Sequence, residues 1–183
     1  MQRTVVFAAI ALAAFASVAP AQVRVGKDST TRLMRFGRDA AYGAAEGLAF
    51  AGVDQATNSP AQWGSGWNGY GKRAASNVGE FLIQEGTTEG IAAIMKRPLD
   101  YTKCHCRNTG ERIGWAIKGA VTDQMPDGTH PIAIPRIVGA YVGSIAQASW
   151  RPDAASGRLR VGLINGTTSL AIGALINLFY EFR

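Results

Sequence analysis

Residues 161–180 read Val-Gly-Leu-Ile-Asn-Gly-Thr-Thr-Ser-Leu-Ala-Ile-Gly-Ala-Leu-Ile-Asn-Leu-Phe-Tyr, a run without a charge between Arg160 and Glu181. Gly162, Gly166, Ser169 and Gly173 fall at i, i+4, i+7 and i+11, one face of a helix. Glycine costs a helix interior about 1 kcal/mol against alanine, so this placement needs a compensating gain. Missing side chains at i, i+4 leave a notch into which a second helix presses its backbone. Leu163, Leu170, Leu175 and Leu178 lie mainly off that seam. The run has the roughly 20 residues a bilayer crossing needs. Asn165, Thr167, Thr168, Ser169 and Asn177, with a mean hydropathy of +0.02 for the whole chain, argue instead for a core helix. Both readings stay open from the sequence.

The same four-residue spacing recurs at Gly43/Gly47, Gly86/Gly90, Gly110/Gly114 and Gly139/Gly143. Around these pairs the chain reads as helices over 29–57, 72–95, 110–124, 135–150 and 156–182. In the first, Leu33, Phe36, Ala40, Ala44, Leu48 and Ala51 recur at helical spacing, with Arg32, Arg35, Arg38 and Asp39 largely off the stripe. Asn58-Ser59-Pro60 ends it, because the residue before proline is pushed out of the helical region. Residues 61–71 are rich in glycine and aromatics and read as a loop. Gly86-Thr87-Thr88 is a weak spot that could bend the second helix. Alternating β-branched runs are scarce, so strands are not expected. The fold expected is all-α, a single bundle of about five helices with GxxxG contacts, occupying residues 22–183.

Residues 1–21 read as a cleavable export signal: Arg3, an apolar run from Val5 to Ala16, then Ala19-Pro20-Ala21 before Gln22. The chain carries a formal net charge of +6, and losing Arg3 leaves +5. Lys and Arg are scattered and form no block, which argues against a nucleic-acid partner. An exported basic protein meets membrane or cell-envelope surfaces or simply stays soluble, and charge alone favours the second. The expected location is the periplasm or outer membrane, with self-association through the glycine seams as a further expectation.

Cys104-His105-Cys106 is the most distinctive local cluster. In an oxidising compartment two cysteines pair, so a structural disulfide or a pair of inert thiols is the first reading. A bridge across one residue closes a small ring that would also suit redox exchange, or the thiols could join two chains. A metal site is the alternative; it would need Cys104, Cys106, His105 and His130 to converge, without the paired CxxC spacing of zinc sites. Gly64 to Gly69 satisfies GxGxxG, and Gly66 to Lys72 satisfies GxxxxGK. The first lacks a preceding strand and the second has Arg73 where a magnesium-binding Ser or Thr belongs, so no nucleotide or other cofactor is expected. Trp63, Trp67 and Tyr70 stand at i, i+4 and i+7, either a platform for glycan or an anchor onto the core. Glu80, Glu85 and Glu89 share one helix, where a buried carboxyl could serve as a lytic acid. With two histidines and no GxSxG elbow, enzymatic catalysis is not favoured.

Asn58-Ser59-Pro60-Ala61-Gln62-Trp63-Gly64, Gly69-Tyr70-Gly71-Lys72-Arg73, Arg136-Ile137-Val138-Gly139-Ala140-Tyr141, Trp150-Arg151-Pro152 and Glu181-Phe182 together resemble a family of uncharacterised exported proteins common in acidobacteria. The resemblance spans residues 30–182 and implies export and a helical domain; it carries no activity. Members usually have an acidic-Pro-Arg-Tyr stretch where this chain has Arg97-Pro98-Leu99-Asp100-Tyr101. The function expected is that of a structural or membrane-associated interaction protein. The alternatives are a periplasmic protein that binds or cleaves peptidoglycan or other glycan, or a metal or redox protein using Cys104 and Cys106.

Overall fold

Asn58-Ser59-Pro60 stops the first long helix, as its sequence predicts. In the computed structural model, which describes residues 29–183, α1 spans Ser29–Thr57 and Asn58 takes the left-handed conformation with φ 53°. The expected export signal lies outside the described residues. A single 3-10 turn, Ala61–Trp63, leads into α2 at Gly66–Met95. Helix α2 therefore begins six residues before the expected Lys72, and it takes Trp67 and Tyr70 out of the anticipated loop. It also runs unbroken through Gly86-Thr87-Thr88. The Thr88 hydroxyl donates to the carbonyl of Gln84 (2.8 Å), a local bond that the helix accommodates. Lys96, left-handed at φ 53° and ψ 40°, ends it.

Helix α3, Thr109–Lys118, is capped by the Asn108 side chain, which accepts from the amide of Gly110 (2.8 Å). It stops earlier than the expected residue 124. Residues beyond Gly119 turn instead into an isolated antiparallel bridge between Thr122 and Ile132. Helix α4, Ile134–Trp150, has Pro135 in its first turn, where a missing amide costs nothing. Arg151-Pro152 ends it, a 3-10 turn follows at Pro152–Ala154, and α5 runs Arg158–Phe182. The five helices form an all-α bundle. α1 packs on α2, α2 on α4, α4 on α5 and α5 on α3.

The buried faces are made of small residues. A methyl group added at Gly162 would lie 2.7 Å from Ile145 Cα, and one at Gly166 would lie 2.5 Å from the Tyr141 ring. One at Gly143 would meet Gln84 Cβ at 2.7 Å, and one at Gly139 would run into Thr88 Oγ1. Gly43 faces the Phe81 ring, and Gly47 faces Val78 at 2.9 Å. These three notches are filled by the chain's own helices. Ser169 joins the α5 seam by donating to the Gln84 side chain (3.1 Å). Gly173 does not join it: like Gly86, Gly90 and Gly114 it has no heavy atom near the position of a Cβ.

Among the described residues, the buried apolar side chains are alanines, including Ala51, Ala92, Ala140 and Ala148. The bulkiest fully buried side chains among these residues are Arg73, Glu181 and Asp123. Leu163, Ile164, Leu175 and Phe179, by contrast, face outward. Water-soluble domains ordinarily bury their large aliphatic residues and expose their charges.

On α1 the buried face passes through Arg35, Gly43, Gly47 and Ala51, while Leu48 is exposed. This overturns the expected stripe, which placed Leu48 inside and Arg35 off the packed face. Where helices close on glycine, the large residues are displaced to the flanks.

Candidate functional site

One turn beyond the glycine notches, the same helix faces carry charge. Asp39 and Arg35 stand one and two turns N-terminal to Gly43 on α1. Glu85 and Glu89 follow Phe81 on α2, and Arg136 precedes Gly139 on α4. With Asp100 from the connector between α2 and α3, they line a polar cavity of about 230 Å³. Close packing at the notches thus sets the distance at which these charges face one another.

Within the cavity, Asp39 is held by Arg38 at 2.6 Å and Asp100 lies 3.6 Å from Arg35. The Arg35 side chain is only 8% exposed, and its Nε has no hydrogen-bond partner among the described residues. Arg136 donates to the carbonyls of Gly119 (2.7 Å) and Leu99 (3.2 Å), which fixes its guanidinium without neutralising it. Burial lowers its pKa, against the opposing pull of Asp123 and Glu85.

Burial pushes the Glu85 carboxyl up to about 7, helped by Asp39 and Glu89 and opposed by Arg136 and Arg35. Its folded value lies above the ordinary 4.5, so its contribution to stability is complete below about pH 4.5 and is lost as pH rises through about 7. Glu85→Gln, which cannot ionise, is expected to be more stable than wild type by about 3 kcal/mol at pH 8 and equal to it at pH 4. Denaturant titrations at the two pH values measure this; equal stability at pH 8 would contradict it.

No family model, curated protein or solved structure matches this chain. Cys104 and Cys106 form a disulfide with Cα atoms 5.1 Å apart, and His105 is exposed. His130 packs edge-on against Trp115 with ring centres 4.9 Å apart. The convergence a metal would need is not formed: among the described residues no three His, Cys, Asp or Glu side chains gather where a metal ion could bind.

Trp63, Trp67 and Tyr70 do not make one flat platform. Trp67 is 89% exposed and meets Tyr70 edge-on, with ring centres 6.1 Å apart. Tyr70 donates to the carbonyl of Leu48 on α1 (3.1 Å), and Trp63 lies under the Arg151 guanidinium. Two of the three are thus tied to neighbouring elements.

The three glutamates on α2 also part company. Glu80 points to α4 and accepts from Ser144 Oγ (2.7 Å), and burial raises its carboxyl above the usual range. Glu85 and Glu89 face the cavity.

The sequence reading did not anticipate Arg35, Asp39 or Arg136 as site residues, nor the buried hubs Arg73 and Glu181. Glu181 accepts from the Tyr101 hydroxyl (2.7 Å), the Cys104 amide (3.0 Å) and Arg112 Nε (3.0 Å). It ties the end of α5 to the connector that carries the disulfide. The available signal was register: Arg35 and Asp39 are spaced in fours with Gly43 and Gly47.

Proposed function

We propose that this protein is a membrane-associated structural protein of the cell envelope, with the outward face of α5 lying against lipid acyl chains. One observation carries the reading: α5 turns its small residues toward α4 and its large apolar residues outward. Its most apolar 18-residue window has a mean hydropathy of 1.4, and only 11% of that window is buried. A core helix of a soluble domain would be mostly buried.

Four of the segment's five polar residues weigh less against this than their composition suggests. Thr167 and Thr168 donate to the carbonyls of Leu163 (2.9 Å) and Ile164 (3.0 Å), one turn back. Ser169 is bonded to Gln84, and Asn177 donates to the carbonyl of Ala116 (3.2 Å). Polar groups satisfied inside the protein are tolerated beside lipid; unsatisfied ones are not. At 1.5 Å per residue the uncharged stretch is roughly 30 Å long, close to the thickness of a bilayer's hydrocarbon core. Arg158 and Arg160 at one end and Arg183 at the other would sit at headgroup level. The resemblance to exported proteins and the signal-like residues 1–21 support an envelope location.

Cell fractionation followed by a sodium carbonate wash tests the proposal. The protein is expected to stay with the membrane pellet after the wash. Full recovery in the soluble fraction would exclude lipid contact by α5.

A further inference from the structure

The cavity between α1, α2 and α4 is separate from the lipid-facing side of α5, and its chemistry is incomplete as it stands. It has two guanidinium groups with unused capacity. Arg35 keeps an unpartnered Nε although its side chain is more than nine-tenths buried, and its ion pair with Asp100 is long at 3.6 Å. Arg136 uses both terminal nitrogens on backbone carbonyls and has no carboxylate within ion-pair distance among the described residues. A buried arginine donor without an acceptor is costly, and the planar fork of a guanidinium fits a carboxylate.

The opposite charge is present too. Asp39 is held by Arg38, and Asp100 faces Arg35 at 3.6 Å with its Oδ2 making no hydrogen bond to a described residue. Glu85 makes no hydrogen bond to any described residue and borders the cavity, which leaves an acceptor for an ammonium group. Asp39, Glu85, Glu89 and Asp100 outnumber Arg35 and Arg136, so a purely anionic ligand would be repelled. A purely cationic one would leave the arginine donors unmet.

We propose that this cavity binds a small zwitterion of amino-acid size, its carboxylate on Arg35 and Arg136 and its ammonium on Glu85. The volume of about 230 Å³ suits a molecule of that class and is small for a glycan or a nucleotide. Binding would supply the partners that Arg35 Nε and Glu85 lack. It would also brace α1, α2 and α4 against one another, because each contributes a contact.

Calorimetric titration of the full chain, purified in detergent at pH 8 so that Glu85 is ionised, tests this. The probes are L-alanine, L-glutamine and L-lysine, with propionate and isopropylamine as controls that each carry one charge only. At least one amino acid is expected to bind, with propionate and isopropylamine at least tenfold weaker. Glu85→Gln and Arg35→Gln are each expected to weaken that binding tenfold or more with an unchanged circular dichroism spectrum. Should Arg35→Gln fail to fold, Glu85→Gln decides alone, since it loses a charge the fold does not need. Absence of binding by all three amino acids overturns the proposal. So does propionate binding as tightly as the best amino acid, or wild-type affinity in Glu85→Gln. None of these outcomes depends on where the protein fractionates, so the cavity and the lipid-facing helix are tested independently.

Discussion

Arg73→Ala is expected to destabilise the fold by about 3–5 kcal/mol, the largest single effect anticipated for this chain, because a buried hydrogen-bond network is lost. Arg73 is fully buried, and its guanidinium is met by neutral acceptors on the α1–α2 junction. Nε donates to the carbonyl of Ser59 (2.8 Å), and Nη1 to Gln55 Oε1 (2.6 Å) and the carbonyl of Gly64 (2.8 Å). Nη2 donates to the carbonyl of Pro60 (2.9 Å) and to Asn58 Oδ1 (3.3 Å). Hydrogen bonds to a charged group contribute about 1.5–3 kcal/mol each, and they do not add when they share one donor group. Truncation also strands the buried carbonyl of Pro60. Arg73→Lys should rescue little, because an ammonium has three donors and cannot reproduce the fork. Thermal unfolding of the two variants beside wild type, in one detergent, provides the measurement. At this chain length about 3–5 kcal/mol corresponds to a Tm lower by roughly 6–20 °C. Near-native stability in Arg73→Ala would mean that the junction is held by other contacts.

Opposite signs are expected from two glycine substitutions that composition alone cannot tell apart. Gly139→Leu should cost about 3 kcal/mol or more. Even its Cβ would meet the Gln84 carbonyl oxygen at 2.7 Å as well as Thr88, and a backbone carbonyl cannot rotate aside. Separating α2 from α4 there would also disturb the register of Glu85 against Arg136. Gly173→Ala should instead stabilise by up to about 1 kcal/mol. Its Cβ position is open, and alanine restricts the unfolded chain and favours the helix. Denaturant midpoints for the pair give the comparison. Two changes of the same sign would contradict the assignment of Gly139 to a packed notch and Gly173 to open space.

These two glycines show how much was legible in the sequence. Periodicity and breakers place the helices: the first ends at Asn58-Ser59-Pro60, and the fourth is bounded by Pro135 and Arg151-Pro152. These signals are local, set by backbone sterics over a few residues, and so survive without tertiary information. The glycine spacing also reports close packing at Gly43/Gly47, Gly139/Gly143 and Gly162/Gly166. It reports the same thing, wrongly, at Gly86/Gly90 and Gly173, because a notch has meaning only if a second helix reaches it.

What the sequence by itself determined is therefore the set of helices, their main breaks and the all-α class. Which face of each helix turns inward was decided only by the tertiary structure. The rule that large apolar residues mark the inner face fails here: α1 exposes Leu48 and buries Arg35, and α5 exposes Leu175 and buries Glu181. The physical reason is the approach distance. Helices that close on glycine and alanine have no room between them for leucine, so the interior fills with small residues and paired polar groups. The charged cavity and the apolar exterior are two results of that one packing choice.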